Sequence, residues 1–139
     1  MVHLAREEDL PHLLRVLDQP YFHEYGLNPE KAFRLLKRAL SEGELFLTGN
    51  PPQALAWFYP QGGFGQGYLR LLAVAERAQG QGLGTLLVQH LLERGLRFTL
   101  VERENVQAVT FYRRFGFQEA GLLPGFVRPD KTEVILWRL

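Results

Sequence analysis

Two rhythms of apolar residues run along the chain. In "EEDLPHLLRVLD" the leucines recur at helical spacing, with acids in the first turn and Pro11 near the start, which predicts a helix. The same spacing in "EKAFRLLKRALSEG" predicts a second, amphipathic helix closed by Gly43. "ELFLTG" and "QALAWFYP" read as strands joined by a turn at "NPP". "MVHLA", "YLRLLAV", "RFTLVE", "FQEAG" and "TEVILWRL" are strand-like as well. Two more helices are expected, one from Gly82 through Arg94 and ended by Gly95, the other over "NVQAVTFYRRFG" with Asn105 as its cap. Between these elements, "QPYFHEYGLNP", "QGGFGQG" and "LLPGFVRPDK" read as loops or flexible connections. The predicted order is β-α-α-β-β-β-α-β-α-β-β, without internal repeat or linker. Such an order belongs to an α+β, α/β-layered architecture, a mixed sheet with helices on its faces. On the helix after Gly82, Leu83, Leu86, Leu87 and Leu91 form the expected buried face, and His90 is expected to pack beside it.

Length and composition narrow the functional classes. The 139 residues suffice for a single domain, 1–139, and the 46% of apolar residues suffice for its core. No uncharged apolar stretch approaches the roughly 18 residues of a spanning helix. Glu7, Glu8 and Asp9 stand where a secretory signal carries apolar residues, so a cytoplasmic protein without membrane partner is expected. A formal net charge of +1, with cations dispersed, lacks the basic patch of a nucleic-acid binder, and no nucleic-acid partner is expected. Without cysteine there are no disulfides, thiolate zinc sites or cysteine nucleophile. His3, His12, His23 and His90 show no ligand spacing, so no metal is expected.

The candidate chemistry concentrates at "AQGQGLGTLL", where Gly80, Gly82 and Gly84 occupy alternate positions between a strand and a helix. Glycine costs a helix about 0.5–1 kcal/mol relative to alanine, so its use there needs a reason. Bare main chain lets a phosphate approach the unpaired N–H groups of a helix N-terminus. Two common phosphate fingerprints fail. G-x-G-x-x-G requires glycine where Thr85 stands, and a Walker A loop requires Lys-Ser/Thr where Thr85-Leu86 follow Gly84. "QGQGLG", Gln79 to Gly84, fits (Arg/Gln)-x-x-Gly-x-(Gly/Ala) and resembles the pyrophosphate-binding motif of the GNAT acetyltransferase superfamily. "NVQAVTFYRRFGF" is similar to that family's N-x-x-A-x-x-(F)-Y-x-x-x-G-F, matched at Asn105, Ala108, Phe111, Tyr112, Gly116 and Phe117. The resemblance extends over nearly the whole chain through the order of elements. It departs at Glu76, where the family often has proline, a difference that bears on the stiffness of the turn rather than on its donors.

The resemblance implies a mostly antiparallel twisted sheet with a splayed parallel central strand pair, helices on both faces, and acetyl-CoA as cofactor across the splay. It implies that main chain around Leu72, Ala73 and Val74 pairs with the pantetheine arm. Gln79, Gly80, Gln81, Gly82, Leu83, Gly84 and Thr85 would hold the pyrophosphate, and Asn105, Ala108, Phe111 and Tyr112 would complete the site. Tyr112 matches the family's tyrosine near the thioester sulfur, which implies a general acid; a phenol of pKa about 10 is protonated at neutral pH. The implied activity is N-acetyl transfer, by direct attack of a primary amine on the thioester. An alkyl ammonium of pKa about 10.4 must first lose a proton. "YLRLLAV" holds no carboxylate, so Glu102 at the end of the next strand is the first candidate base, with His23, Glu24 or a water chain as alternatives. The oxyanion would fall to the Val74 N–H.

An acceptor pocket is expected between Tyr21, Phe22, His23, Glu24 and Tyr25 of "YFHEYG" and Phe126 of the late loop, with Arg128 or Asp130 at its rim. The partner is then a small-molecule or peptide amine, and the resemblance implies a homodimer. A second class stays beside the enzyme: a catalytically silent acyl-CoA-binding or regulatory module of the same fold. A nucleotide-binding module unrelated to CoA fits less well, because neither phosphate fingerprint matches.

Overall fold

The computed structural model describes residues 1–139. Its strands are β1 (Val2–Leu4), β2 (Glu44–Thr48), β3 (Ala54–Gly63), β4 (Gln66–Val74), β5 (Leu96–Glu102), β6 (Gln118–Pro124) and β7 (Thr132–Trp137). Its helices are α1 (Leu10–Leu17), α2 (Pro20–Glu24), α3 (Pro29–Glu42), α4 (Leu83–Glu93) and α5 (Val106–Arg113). Side chains start two of them: Asn28 accepts from the Lys31 N–H at 2.9 Å for α3, and Asn105 accepts from the Ala108 N–H at 3.1 Å for α5. No helix is long and apolar enough to cross a membrane.

The strands form one sheet in the order β1-β2-β3-β4-β5-β7-β6, antiparallel except for β4–β5. Each face is covered by its own apolar layer. Leu13, Leu17 and Leu36 of α1 and α3 pack with Leu47, Leu55 and Trp57 on one side. Leu87, Leu91, Val109 and Tyr112 of α4 and α5 pack with Phe58, Leu69 and Leu136 on the other.

The parallel pair sets up the site. β4 and β5 are joined at Gly67↔Leu96, Tyr68↔Phe98 and Leu69↔Thr99. Past that point residues 71–74 stay with β3 and residues 100–102 stay with β7, so the two strands part into a V. A bulge lies where they part: Trp57 faces Leu71 and Phe58 faces Leu69, which leaves Arg70 without a partner. A bulge bends its strand and increases local twist, and here it turns β4 away from β5. The Arg70 guanidinium lies 4.2 Å from the Trp57 ring centroid and anchors the bend.

Several expected loops carry structure. "QPYFHEYGLNP" contains α2, whose Phe22 is drawn into the α1–α3 layer. "QGGFGQG" supplies the ends of β3 and β4 around a tight turn at Phe64-Gly65. β6 continues beyond "FQEAG" to Pro124 because β7 pairs with it along that whole length. The buried face of α4 is also rotated from expectation. Leu86 is 43% exposed, while Val88 joins Leu87 and Leu91 in the core. With Gly84, these three lie at i, i+3, i+4 and i+7, the stripe nearest the sheet. On α5, Val109 and Tyr112 take the core, and Ala108 and Phe111, with Phe115 just beyond the helix, pack at its edge.

Candidate active site

A cleft of about 1070 Å3 occupies the V. Its α4 side is a turn without side-chain cover. Gly80 and Gly82 have φ of +82° and +83°, a left-handed conformation that side chains with a Cβ adopt poorly. Gly82 is the N-cap of α4, and no side chain caps it. Its carbonyl accepts from the Leu86 N–H at 3.0 Å, so the N–H groups of Leu83, Gly84 and Thr85 form the unpaired first turn. They carry the positive end of the helix dipole. Phe111 closes in from α5: a Cβ at Gly84 would stand 3.5 Å from its ring. Arg114, a turn further along, lines the same cleft.

One arm of the V offers main chain. The Ala75 N–H bonds to the Gln53 carbonyl at 2.8 Å, which turns the main-chain groups of residues 73 and 75 toward β3. Those of Leu72 and Val74 therefore point into the cleft. The Val74 carbonyl already accepts from Gln19 Nε2 at 2.8 Å and from Gln79 Nε2 at 3.2 Å. Its N–H and the polar groups of Leu72 are left for a ligand.

At the apex, Thr99 Oγ1 donates to the Leu69 carbonyl at 2.8 Å, across the last paired residues. The Tyr112 side chain is buried behind this junction, near Thr99. Burial pushes its phenol well above the ordinary value, against the opposing effect of Thr99, and the Tyr21 phenolate would add to the rise. The group is held protonated.

The opposite arm carries acids and aromatics. Glu102 lines the cleft with its side chain 11% exposed, and Lys131 Nζ lies 3.6 Å from its Oε1. Asn105 Nδ2 reaches the Tyr21 hydroxyl at 3.5 Å. Burial pushes the Tyr21 phenol up, the Asn105 bond opposes this, and the charges of Glu102, Glu133 and Glu24 add to the rise. The Arg128 guanidinium sits 5.2 Å from the Tyr25 ring, joining α2 to the late loop.

The family model described as Acetyltransferase (GNAT) family matches residues 3–117. The chain belongs to the GNAT acetyltransferase family. A protein of Pseudomonas phage PaMx11, named 5-NmdU N-acetyltransferase, is 43% identical to this chain over 56 residues. That match covers 38% of this chain, which spans 40% of the relative's length. A GNAT-family acetyltransferase from Bacillus cereus ATCC 10987 superposes with a TM-score of 0.81 at 17% identity, over 100% of this chain and 97% of the other. Ard1 from Thermoplasma volcanium superposes with a TM-score of 0.77 at 19% identity, over 99% and 95%. At these identities the superpositions speak for the fold, including the mixed sheet with its single parallel pair.

In this member of the GNAT family the cleft gathers Leu72, Ala73, Val74, Gln79, Gly80, Gly82, Leu83, Gly84, Thr85, Glu102, Asn105, Ala108 and Phe111 with Tyr21, Phe22, Glu24 and Tyr25. Four anticipated residues do not line it. Gln81 is exposed beyond the turn, and Tyr112 lies behind the apex. His23 pairs with Asp18 at 2.8 Å, and Phe126 is 63% exposed. Gln19 and Glu133 escaped the sequence reading. Nothing local marks Gln19, whose partner on β4 lies 55 residues away. Glu133 had one signal, a carboxylate directly before the apolar run "VILW" of its strand.

Proposed function

We propose that the protein transfers an acetyl group from acetyl-CoA to a primary amine. The carrying observation is the joining, in one cleft, of an uncapped helix start and open main chain on a diverging strand, with a protonated phenol buried behind the apex. These residues fit the donor: the turn from Gln79 to Thr85 suits a diphosphate, Leu72 and Val74 suit an extended amide arm, and Arg114 supplies a cation. When bound, acetyl-CoA supplies an acetyl group activated as a thioester. The Val74 N–H orients and polarises the acetyl carbonyl. Tyr112 holds a proton at its hydroxyl for the departing sulfur. Glu102 takes the proton that the ammonium form of the acceptor must shed. Tyr21, Phe22, Glu24 and Tyr25 wall the acceptor side, and its carboxylates favour an amine that arrives as a cation. The name of the phage relative, an N-acetyltransferase, supports nitrogen as the acceptor atom. The carboxylate missing from β4 has its counterpart in Glu102 on the facing arm, which favours turnover over a silent module.

The test is a thermal-shift series with acetyl-CoA, CoA, ATP and NAD, followed by thiol release with a panel of amines. Acetyl-CoA and CoA are expected to stabilise, by about 2.7 kcal/mol at 100 times Kd. Stabilisation by ATP or NAD without CoA overturns the donor. Binding without thiol release from any amine overturns the transfer.

A further inference from the structure

Glu133 is a buried carboxylate, 5% exposed, whose Oε2 has no hydrogen-bond partner and which joins no ion pair. A buried carboxylate is costly unless paired. In the β5–β7 ladder it stands directly opposite Glu102. Opposed residues share a sheet face with Cβ atoms about 5 Å apart, and like charges there repel. Since Glu102 lines the cleft, Glu133 stands on the cleft side of β7.

The surrounding groups do not cancel this charge. From the loop before β7, Lys131 pairs with Glu102 at 3.6 Å and Glu104 at 2.8 Å, and Arg128 is engaged by Asp130 at 3.6 Å and by the Tyr25 ring. Tyr21 of α2 lies close enough to Glu102, Glu133 and Glu24 for their charges to raise its phenol, and the charge of Glu133 acts in the same way on Tyr68 of β4. Burial pushes the Glu133 carboxyl up, and the charge of Glu102 pushes it further.

We propose that Glu133 is a positioning residue that tunes Glu102, so that the two carboxylates act as a coupled pair taking up the proton of the incoming ammonium group. The proposal rests on the donor-and-amine reading above. Glu102 takes one proton as an N–H bond of R–NH3+ breaks. The freed nitrogen lone pair forms the N–C bond to the acetyl carbon, and the C–S bond breaks with its electron pair on sulfur. Tyr112 gives its proton to that sulfur and regains one from the nitrogen. One proton is left on the carboxylate pair and passes to water at the end of the turnover.

Two readouts test this. In the unliganded protein, NMR titration of 13C-labelled glutamate carboxyl carbons is expected to show one group titrating above the ordinary range. It should vanish in Glu133→Gln and move down by about one pH unit in Glu102→Gln, the coupling of interacting carboxylates. In the pH profile of kcat/KM for the amine, the acid limb marks protonation of the pair. Glu133→Gln moves that limb down by about one pH unit, because the second ionisation of the pair, the one opposed by a like charge, is removed.

The folded-state pKa of Glu133 is raised, so its contribution to stability is fully present below the unfolded-state value and is lost as the pH rises through the folded-state value. Glu133→Gln should therefore melt no lower than wild type at neutral pH. A limb that stays in place while KM or the melting temperature changes overturns the proposal and makes Glu133 a packing residue. So does a Glu133 carbon that titrates with the exposed glutamates, or one indifferent to Glu102→Gln. Failure of the parent reading looks different: wild type then shows no CoA-induced shift and no thiol release at any pH.

Discussion

A side chain's chemistry here follows from its access to water. Tyr112 is a core aromatic to which the proposed mechanism adds a second role, that of proton donor. Its ring packs against Phe111 and Phe117 with centroids 5.1 and 5.6 Å away, and its buried phenol lies near Thr99 at the apex of the V. Phenylalanine keeps those ring contacts and removes the hydroxyl. Tyr112→Phe is therefore expected to fold normally and to lose kcat with little change in KM for acetyl-CoA. An unchanged kcat would remove the acid role. The position of Tyr112 was legible because it belongs to a compact pattern on one helix. Glu133 was not, since a carboxylate on an apolar strand acquires meaning only when register sets it opposite Glu102.

At the scale of elements, the start of α4 is the most demanding piece. Its helical N–H groups are open because the chain arrives through left-handed Gly80 and Gly82 and brings no capping side chain. Gly82→Val places a β-branched residue at a φ of +83°, a strain of about 1–3 kcal/mol, and puts a side chain at the anion seat. The expected result is a lower melting temperature together with loss of the CoA-induced thermal shift. A retained shift would mean that the diphosphate binds elsewhere. This turn could be read directly from "QGQGLG", whereas the rotation of α4 that exposes Leu86 and buries Val88 could not. Leucines at 83, 86, 87, 91 and 92 and Val88 stand on several sides of the helix, and the sheet beneath selects among them.

Across the whole molecule, the cleft depends on β4 being held away from β5. The bulge at Arg70 bends the strand, and Gln19 ties its far end to the helical layer by donating to the Val16 carbonyl at 2.7 Å and the Val74 carbonyl at 2.8 Å. Gln19→Leu removes both donors from a buried site and is expected to cost about 1–3 kcal/mol. Melting temperature and the Kd for CoA should both worsen, because the freed strand end no longer presents Val74 and Leu72 in place. If the affinity holds while stability falls, Gln19 is a packing residue without influence on the cleft.

The amino-acid sequence by itself determined the rhythm of strands and helices, the anion-ready turn and the helix that carries Asn105 and Tyr112. Those features rest on backbone preferences and periodicities that act over a few neighbouring residues. Only the tertiary structure decided where β4 and β5 part, that Gln19 holds the end of β4, that α2 folds against the core, and that Glu133 confronts Glu102. Each of these depends on strand register or on burial against residues distant in the chain. Such partners are chosen by the packing of the whole sheet, and no local run of residues specifies them.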